Sequence, residues 1–173
     1  FFRRDAAFDD VALKAPRQAH GGRRGEVDVE RLARLRGLDE ELKRRFKIFG
    51  KAGVDNLTDY RASVSGALPR IFLLVDEFQE FFTEDDTISQ QAKQFFDRLV
   101  RQGRAFGIHI MLASQSLGGS AALPSTTLDQ MAVRIALQCS EADSRLILAH
   151  DNAAARSLSR PGGVMRASSV RDA

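Results

Sequence analysis

Five apolar residues, Ile71-Phe72-Leu73-Leu74-Val75, run without a break into two adjacent carboxylates, Asp76 and Glu77. An unbroken run of branched and aromatic residues suits a strand buried on both faces, as in a parallel sheet. Pro69 marks where that strand begins. The strand delivers Asp76 and Glu77 to its carboxyl end, where open α/β sheets place their ligands.

Adjacent carboxylates at a strand tip are the arrangement of a Walker B motif. Asp76 is then the residue to hold Mg²⁺, through a water, because Mg²⁺ prefers oxygen ligands and keeps part of its hydration shell. Glu77 is placed to polarise the water that attacks a γ-phosphate. The same pair can also do no more than cap the helix that follows.

The chain has 173 residues, enough for one domain with a substantial core. Hydrophobic residues make up 43% and charged residues 28%, as in ordinary soluble domains. No apolar stretch approaches ~20 residues, so no membrane segment is expected in this chain. The start, Phe1-Phe2-Arg3-Arg4, has no signal-peptide layout and reads as a piece of a longer chain. Cys139 is the one cysteine, which excludes an internal disulfide and suits a reducing, cytoplasmic compartment. Its apolar surroundings point to a core filler rather than a nucleophile. The net charge of +3 is compatible with nucleic acid without arguing for it.

Residues 1–26 read as a poorly ordered lead-in. A helix is predicted from Val27 to Phe49, with Leu35, Leu38, Leu42, Phe46 and Phe49 as its apolar stripe. Lys43, Arg44, Arg45 and Lys47 read as its solvated face. A short helix follows around Thr58 to Ser63. A second amphipathic helix is predicted over Thr87 to Phe106, capped by Thr87. A second buried strand, Ile108 to Ala113, then completes a βαβ unit and ends near Gln115. Gln115 can sense a γ-phosphate or bond a loop. Ala132 to Leu137 reads as a third strand. Ser140 and Asp143 form a capping box on the next helix. Val164-Met165 is a short strand, and residues 168–173 read as a frayed tail.

The order of these segments resembles the C-terminal part of the motor domain of FtsK/SpoIIIE-type ATPases, over about residues 38 to 166. The resemblance rests on Ala52-Gly53-Val54-Asp55-Asn56-Leu57, on Leu68-Pro69-Arg70 through Asp76-Glu77, and on Gly103-Arg104-Ala105-Phe106-Gly107-Ile108-His109. Ala113-Ser114-Gln115, Arg134-Ile135-Ala136, Asp143-Ser144-Arg145 and Arg160-Pro161-Gly162 complete it. It implies an α/β fold: a RecA-like P-loop NTPase three-layer sandwich with a mainly parallel sheet, occupying residues 27–167. It implies ATP and Mg²⁺, with Asp76 on the metal, Glu77 as catalytic base and Gln115 as sensor. Arg160, Pro161 and Gly162 would lie at the nucleotide. An arginine finger in trans is implied, with Arg104 and Arg145 as candidates; each could instead form a surface ion pair.

The resemblance further implies a homo-oligomeric ring, commonly a hexamer, and double-stranded DNA as the partner that the motor moves. The parent protein can be attached to the inner membrane. A branch of the family serves type VII secretion, which is the alternative reading. A non-catalytic scaffold module is a further one. The sequence contains no Gly-x-x-x-x-Gly-Lys-Ser/Thr. The sheet is therefore expected to be incomplete, with the P-loop strand missing, and this chain alone to be inactive.

Overall fold

A computed structural model describes residues 8–13, 24–64, 68–82, 84–115, 117, 124–159 and 163–168. They divide into two compact units, Phe1–Ala113 and Ser114–Ala173. Among the described residues, no helix is long and apolar enough to cross a membrane.

The first unit runs β1 (Phe8–Leu13), α1 (Arg24–Ala52), α2 (Leu57–Ser63), β2 (Arg70–Val75), a 3-10 turn (Phe78–Phe82), α3 (Thr87–Gln102) and β3 (Ile108–Leu112). The strands form one sheet in the order β1-β2-β3, and both pairings are parallel. Leu73 of β2 is aligned with Val11 of β1 and Ile110 of β3. The expected βαβ unit is β2, α3 and β3.

β2 alternates along its length: Ile71, Leu73 and Val75 are buried, while Phe72 and Leu74 are half-buried. The expectation of burial on both faces therefore holds fully for one face. The buried apolar residues around it are Leu35, Leu38, Leu42 and Phe49 of α1 and Ala92, Phe96 and Leu99 of α3. Each of these leucine and phenylalanine side chains contributes about 1.5–3 kcal/mol by leaving water. Phe49 also stacks on Tyr60 and Phe106, with ring centroids 4.7 and 5.2 Å apart.

Four expectations are corrected here. The lead-in of residues 1–26 contains β1, and α1 already begins at Arg24. A strand in a parallel sheet takes its hydrogen bonds from a distant neighbour, so a short segment with Asp9 and Asp10 gives little local signal. On α1, Arg45 is buried at 1% exposure and Phe46 is exposed at 66%, the reverse of the predicted faces. α3 ends at Gln102, ahead of a turn that leads into β3, and its cap is Asp86, whose side chain accepts from Ser89 N. Asp39, midway along α1, is buried, and its two carboxylate oxygens accept from Arg98 Nη1 at 2.6 and 2.8 Å.

The second unit holds α4 (Ser125–Leu128), β4 (Val133–Ala136), α5 (Glu141–Ile147), a 3-10 turn (Ala154–Ser157) and β5 (Met165–Ser168). β4 and β5 pair antiparallel, with Ala136 opposite Met165 and Val133 opposite Ser168. Ser168 thus belongs to a strand rather than to a frayed tail. Ala136, Leu148 and Ala155 form its buried cluster, with Cys139, Ile147, Leu158 and Met165 packed against them. Ser140 caps α5 as predicted. Its Oγ accepts from Asp143 N at 3.0 Å and donates to Asp143 Oδ2 at 2.7 Å.

Candidate functional site

The carboxyl end of β2 opens into a turn at Asp76 and Glu77. Two backbone hydrogen bonds bracket this turn. Ala113 N donates to Val75 O at 2.8 Å, and Phe78 N donates to Ala113 O at 3.2 Å. Phe78, Phe81 and Phe82 are buried just beyond and anchor its far side. Glu77 has φ 52°, the left-handed region that non-glycine residues seldom adopt. Such strain costs on the order of 1–3 kcal/mol and collects at functional sites. Glu77 O accepts from Glu80 N at 3.0 Å, and Glu77 Oε2 accepts from Gln79 Nε2.

Asp76 and Glu77 are both half-buried. Among the described residues, no group of three or more His, Cys, Asp or Glu could hold a metal ion by itself. The adjacent carboxylates of Asp76 and Glu77 suit Mg²⁺, which is usually bound by one or two carboxylates together with substrate phosphates and water. Asp76 is the residue that would hold it.

Arg104 stands at the other end of the sheet. It lies in the turn between α3 and β3, and Gly107 O in that turn accepts from Ile71 N, early in β2, at 2.9 Å. The six residues of β2, at about 3.3 Å each, put roughly 20 Å between that edge and Asp76. Arg104 therefore is not brought together with Asp76 and Glu77 within this unit. It lines an open cavity of about 460 Å³ with Arg70, His109, Asn56 and Thr58. Arg104 and Arg70 have no carboxylate partner among the described residues. Burial, and then the charges of Arg70 and Arg104, hold the His109 imidazole below its ordinary pKa. Burial and Arg70 likewise lower Arg61, whose guanidinium donates to Leu68 O.

Gln115 is exposed in the second unit. Arg145, on α5, is engaged locally. Its Nη2 meets Glu141 Oε1 at 3.0 Å, and its Nη1 donates to His150 O at 2.7 Å. Arg160, Pro161 and Gly162 lie outside the described residues. Burial, with the Asp143 carboxylate, pushes the Cys139 thiol up, as suits a packing residue rather than a nucleophile. Sequence reasoning passed over Gln79, Arg70 and His109. Arg70 and His109 were visible only as parts of motifs, and their shared cavity depends on the parallel pairing of β2 with β3.

No protein-family profile matches the chain. Among curated proteins, the "ESX secretion system protein YukB" of Bacillus subtilis is 29% identical over 126 residues, covering 69% of this chain and 8% of that protein. The "ESX-5 secretion system protein EccC5" of Mycobacterium tuberculosis is 33% identical over 113 residues, covering 60% and 8%. The chain thus spans 8% of the length of these relatives. Among solved structures, the pCW3 conjugation coupling protein TcpA, in its monomer form with ATPγS, superposes with a TM-score of 0.68 at 20% identity, over 83% of this chain and 42% of that one. The cytoplasmic domain of the Thermomonospora curvata type VII secretion ATPase EccC gives 0.66 at 24% identity, over 85% and 17%. The fold is the RecA-like P-loop ATPase fold of these two structures, a mixed α/β structure with a parallel sheet. The sequence relatives carry secretion-system names, which favour the alternative reading over that of a DNA motor.

Proposed function

We propose that this chain is the Walker B-bearing part of the motor ATPase of a type VII-like protein secretion system. The observation that carries the reading is the similarity to ESX secretion proteins over 60–69% of the chain. The chain, β1 included, would be the C-terminal part of one ATPase domain, acting in a ring of like subunits. The P-loop that this sequence lacks would belong to the same full-length protein, and the cargo would be a secreted protein.

The chemistry follows from two carboxylates on one turn. Asp76 would hold Mg²⁺, which when bound neutralises phosphate charge. Glu77, one residue on, would orient the attacking water and accept its proton as the γ-phosphate is released. Arg104 is the better finger candidate, because Arg145 is already paired with Glu141. Its distance from Asp76 in the same unit means that it would serve a neighbouring subunit's nucleotide, where a guanidinium stabilises the charge of the transferring phosphoryl group. Gln115 would act as sensor, and Arg160, Pro161 and Gly162 would approach the nucleotide.

The test is Glu77→Gln in the full-length protein. Nucleotide binding is expected to persist, while ATP turnover and export of the secreted protein are both lost. Undiminished turnover would remove Glu77 from the reaction.

A further inference from the structure

We propose that Gln79 is a positioning residue for Glu77, acting on the hydrolytic step and not on nucleotide binding. The proposal rests on Glu77 being the base. The carboxamide of Gln79 reaches back across the turn, and its Nε2 donates to Glu77 Oε2. This contact joins the side chains of residues two apart, which the geometry of the turn makes possible. Glu77 is in the left-handed conformation, and the 3-10 turn begins immediately after it.

The other end of the amide shows what the side chain is for. Gln79 Oε1 is buried and has no hydrogen-bond partner among the described residues. Buried amides ordinarily satisfy both ends, so an unsatisfied acceptor is a cost that a purely structural glutamine would not carry. The end that is satisfied is the one on the carboxylate. The backbone beneath cannot easily drift, because Phe78, Phe81 and Phe82 are buried on either side of Gln79. Fixing one oxygen of a catalytic carboxylate sets the direction in which the other can meet a water. The contact is made to the carboxylate of Glu77, so nucleotide binding is not expected to depend on it.

The experiment uses the full-length protein and four variants: Gln79→Leu, Gln79→Asn, Glu77→Gln, and Glu77→Gln combined with Gln79→Leu. Steady-state ATP turnover gives kcat and KM, and a fluorescent ATP analogue gives nucleotide affinity. Gln79→Leu is expected to lower kcat by about tenfold or more, since small misplacements of a catalytic group are that costly. KM and analogue affinity are expected to stay at their wild-type values. Gln79→Asn keeps the amide but withdraws it by one methylene, and should show the same split; it carries the test if the leucine variant does not fold. The double variant should turn over no more slowly than Glu77→Gln alone, because residues acting as a unit are not additive. Wild-type kcat in both Gln79 variants, an equal loss in affinity, or additive losses would overturn the proposal. If Glu77→Gln itself hydrolyses ATP normally, it is the reading of Glu77 that fails. If that variant is inactive and the Gln79 variants are normal, only the role of Gln79 falls.

Discussion

Arg45 donates from Nη1 to the carbonyl oxygen of Phe106 at 2.8 Å, from a side chain that is 1% exposed. Its Nε meets Glu41 Oε1 at 2.7 Å. Phe106 belongs to the turn that presents Arg104, so a buried cation on α1 fixes the backbone beside the candidate finger. Glu41 also holds Arg44, whose Nε and Nη2 donate to it at 2.6 and 2.8 Å.

Replacing Arg45 with methionine keeps much of the packed stem and removes the donor to Phe106. A buried carbonyl left without its donor costs about 1–3 kcal/mol. Arg45→Met is therefore expected to lower unfolding free energy by about 2 kcal/mol in denaturant titration, and to slow ATP turnover in the full-length protein. Lys47→Ala, two positions on and exposed, should change stability by less than about 0.5 kcal/mol. Equal effects would contradict the assignment of faces on α1.

Gly107 closes the same turn at φ +76°, and a Cβ there would sit 2.3 Å from Leu57 Cδ2 and 3.3 Å from Arg45 Nη1. Gly107→Ala combines backbone strain with a clash and should cost about 2 kcal/mol or more, measured by thermal unfolding. Gly37, inside α1 with nothing within 4 Å of a Cβ, gives the opposite sign. Gly37→Ala should stabilise by up to about 1 kcal/mol.

The His109 imidazole is held below its ordinary value of 6.5 by burial and by the charges of Arg70 and Arg104. The unfolded chain then binds the proton more readily than the folded one. The contribution of His109 to stability is complete above pH 6.5 and declines as the pH falls toward the lowered folded value. An NMR titration of His109 should give a pKa under 6.5, and Arg70→Ala should raise it by removing the larger of the two charge effects. A pKa at or above 6.5 in the wild type would contradict the placement of His109 in this cationic cavity.

If Arg104 serves a neighbour's nucleotide, Arg104→Ala and Glu77→Gln should each abolish turnover without abolishing nucleotide binding. Mixing the two variant proteins should then restore part of the activity. A subunit with intact Glu77 would receive Arg104 from a partner whose own Glu77 is replaced. Mixtures as inactive as the separate variants would argue against a shared site.

The sheet strand was legible because an unbroken apolar run of branched and aromatic residues fits a strand in a parallel sheet, and it carries Asp76 and Glu77 to its carboxyl end. The Ser140–Asp143 box was legible because capping is local. What the sequence concealed was non-local. β1 exists through pairing with β2, some 60 residues away, and its own residues Asp9 and Asp10 disguise it. Arg45 lies three residues after Leu42 and four before Phe49, which is the buried stripe by position though not by residue type. Its burial became readable only once Glu41 and Phe106 O were seen to receive its guanidinium. Phe46, the hydrophobic residue beside it, was left at the surface. The Gln79 contact was hidden for a similar reason, since it needs the left-handed backbone at Glu77.

The most direct measurement is ATP hydrolysis by the full-length protein, wild type and Glu77→Gln, with a protein exported by its own secretion system or with double-stranded DNA added. A secretion motor predicts turnover that rises with the exported protein, is indifferent to DNA, and vanishes in Glu77→Gln. Stimulation by DNA alone would return the chain to the DNA-translocating motors. Turnover that survives Glu77→Gln would contradict the assignment of the site itself.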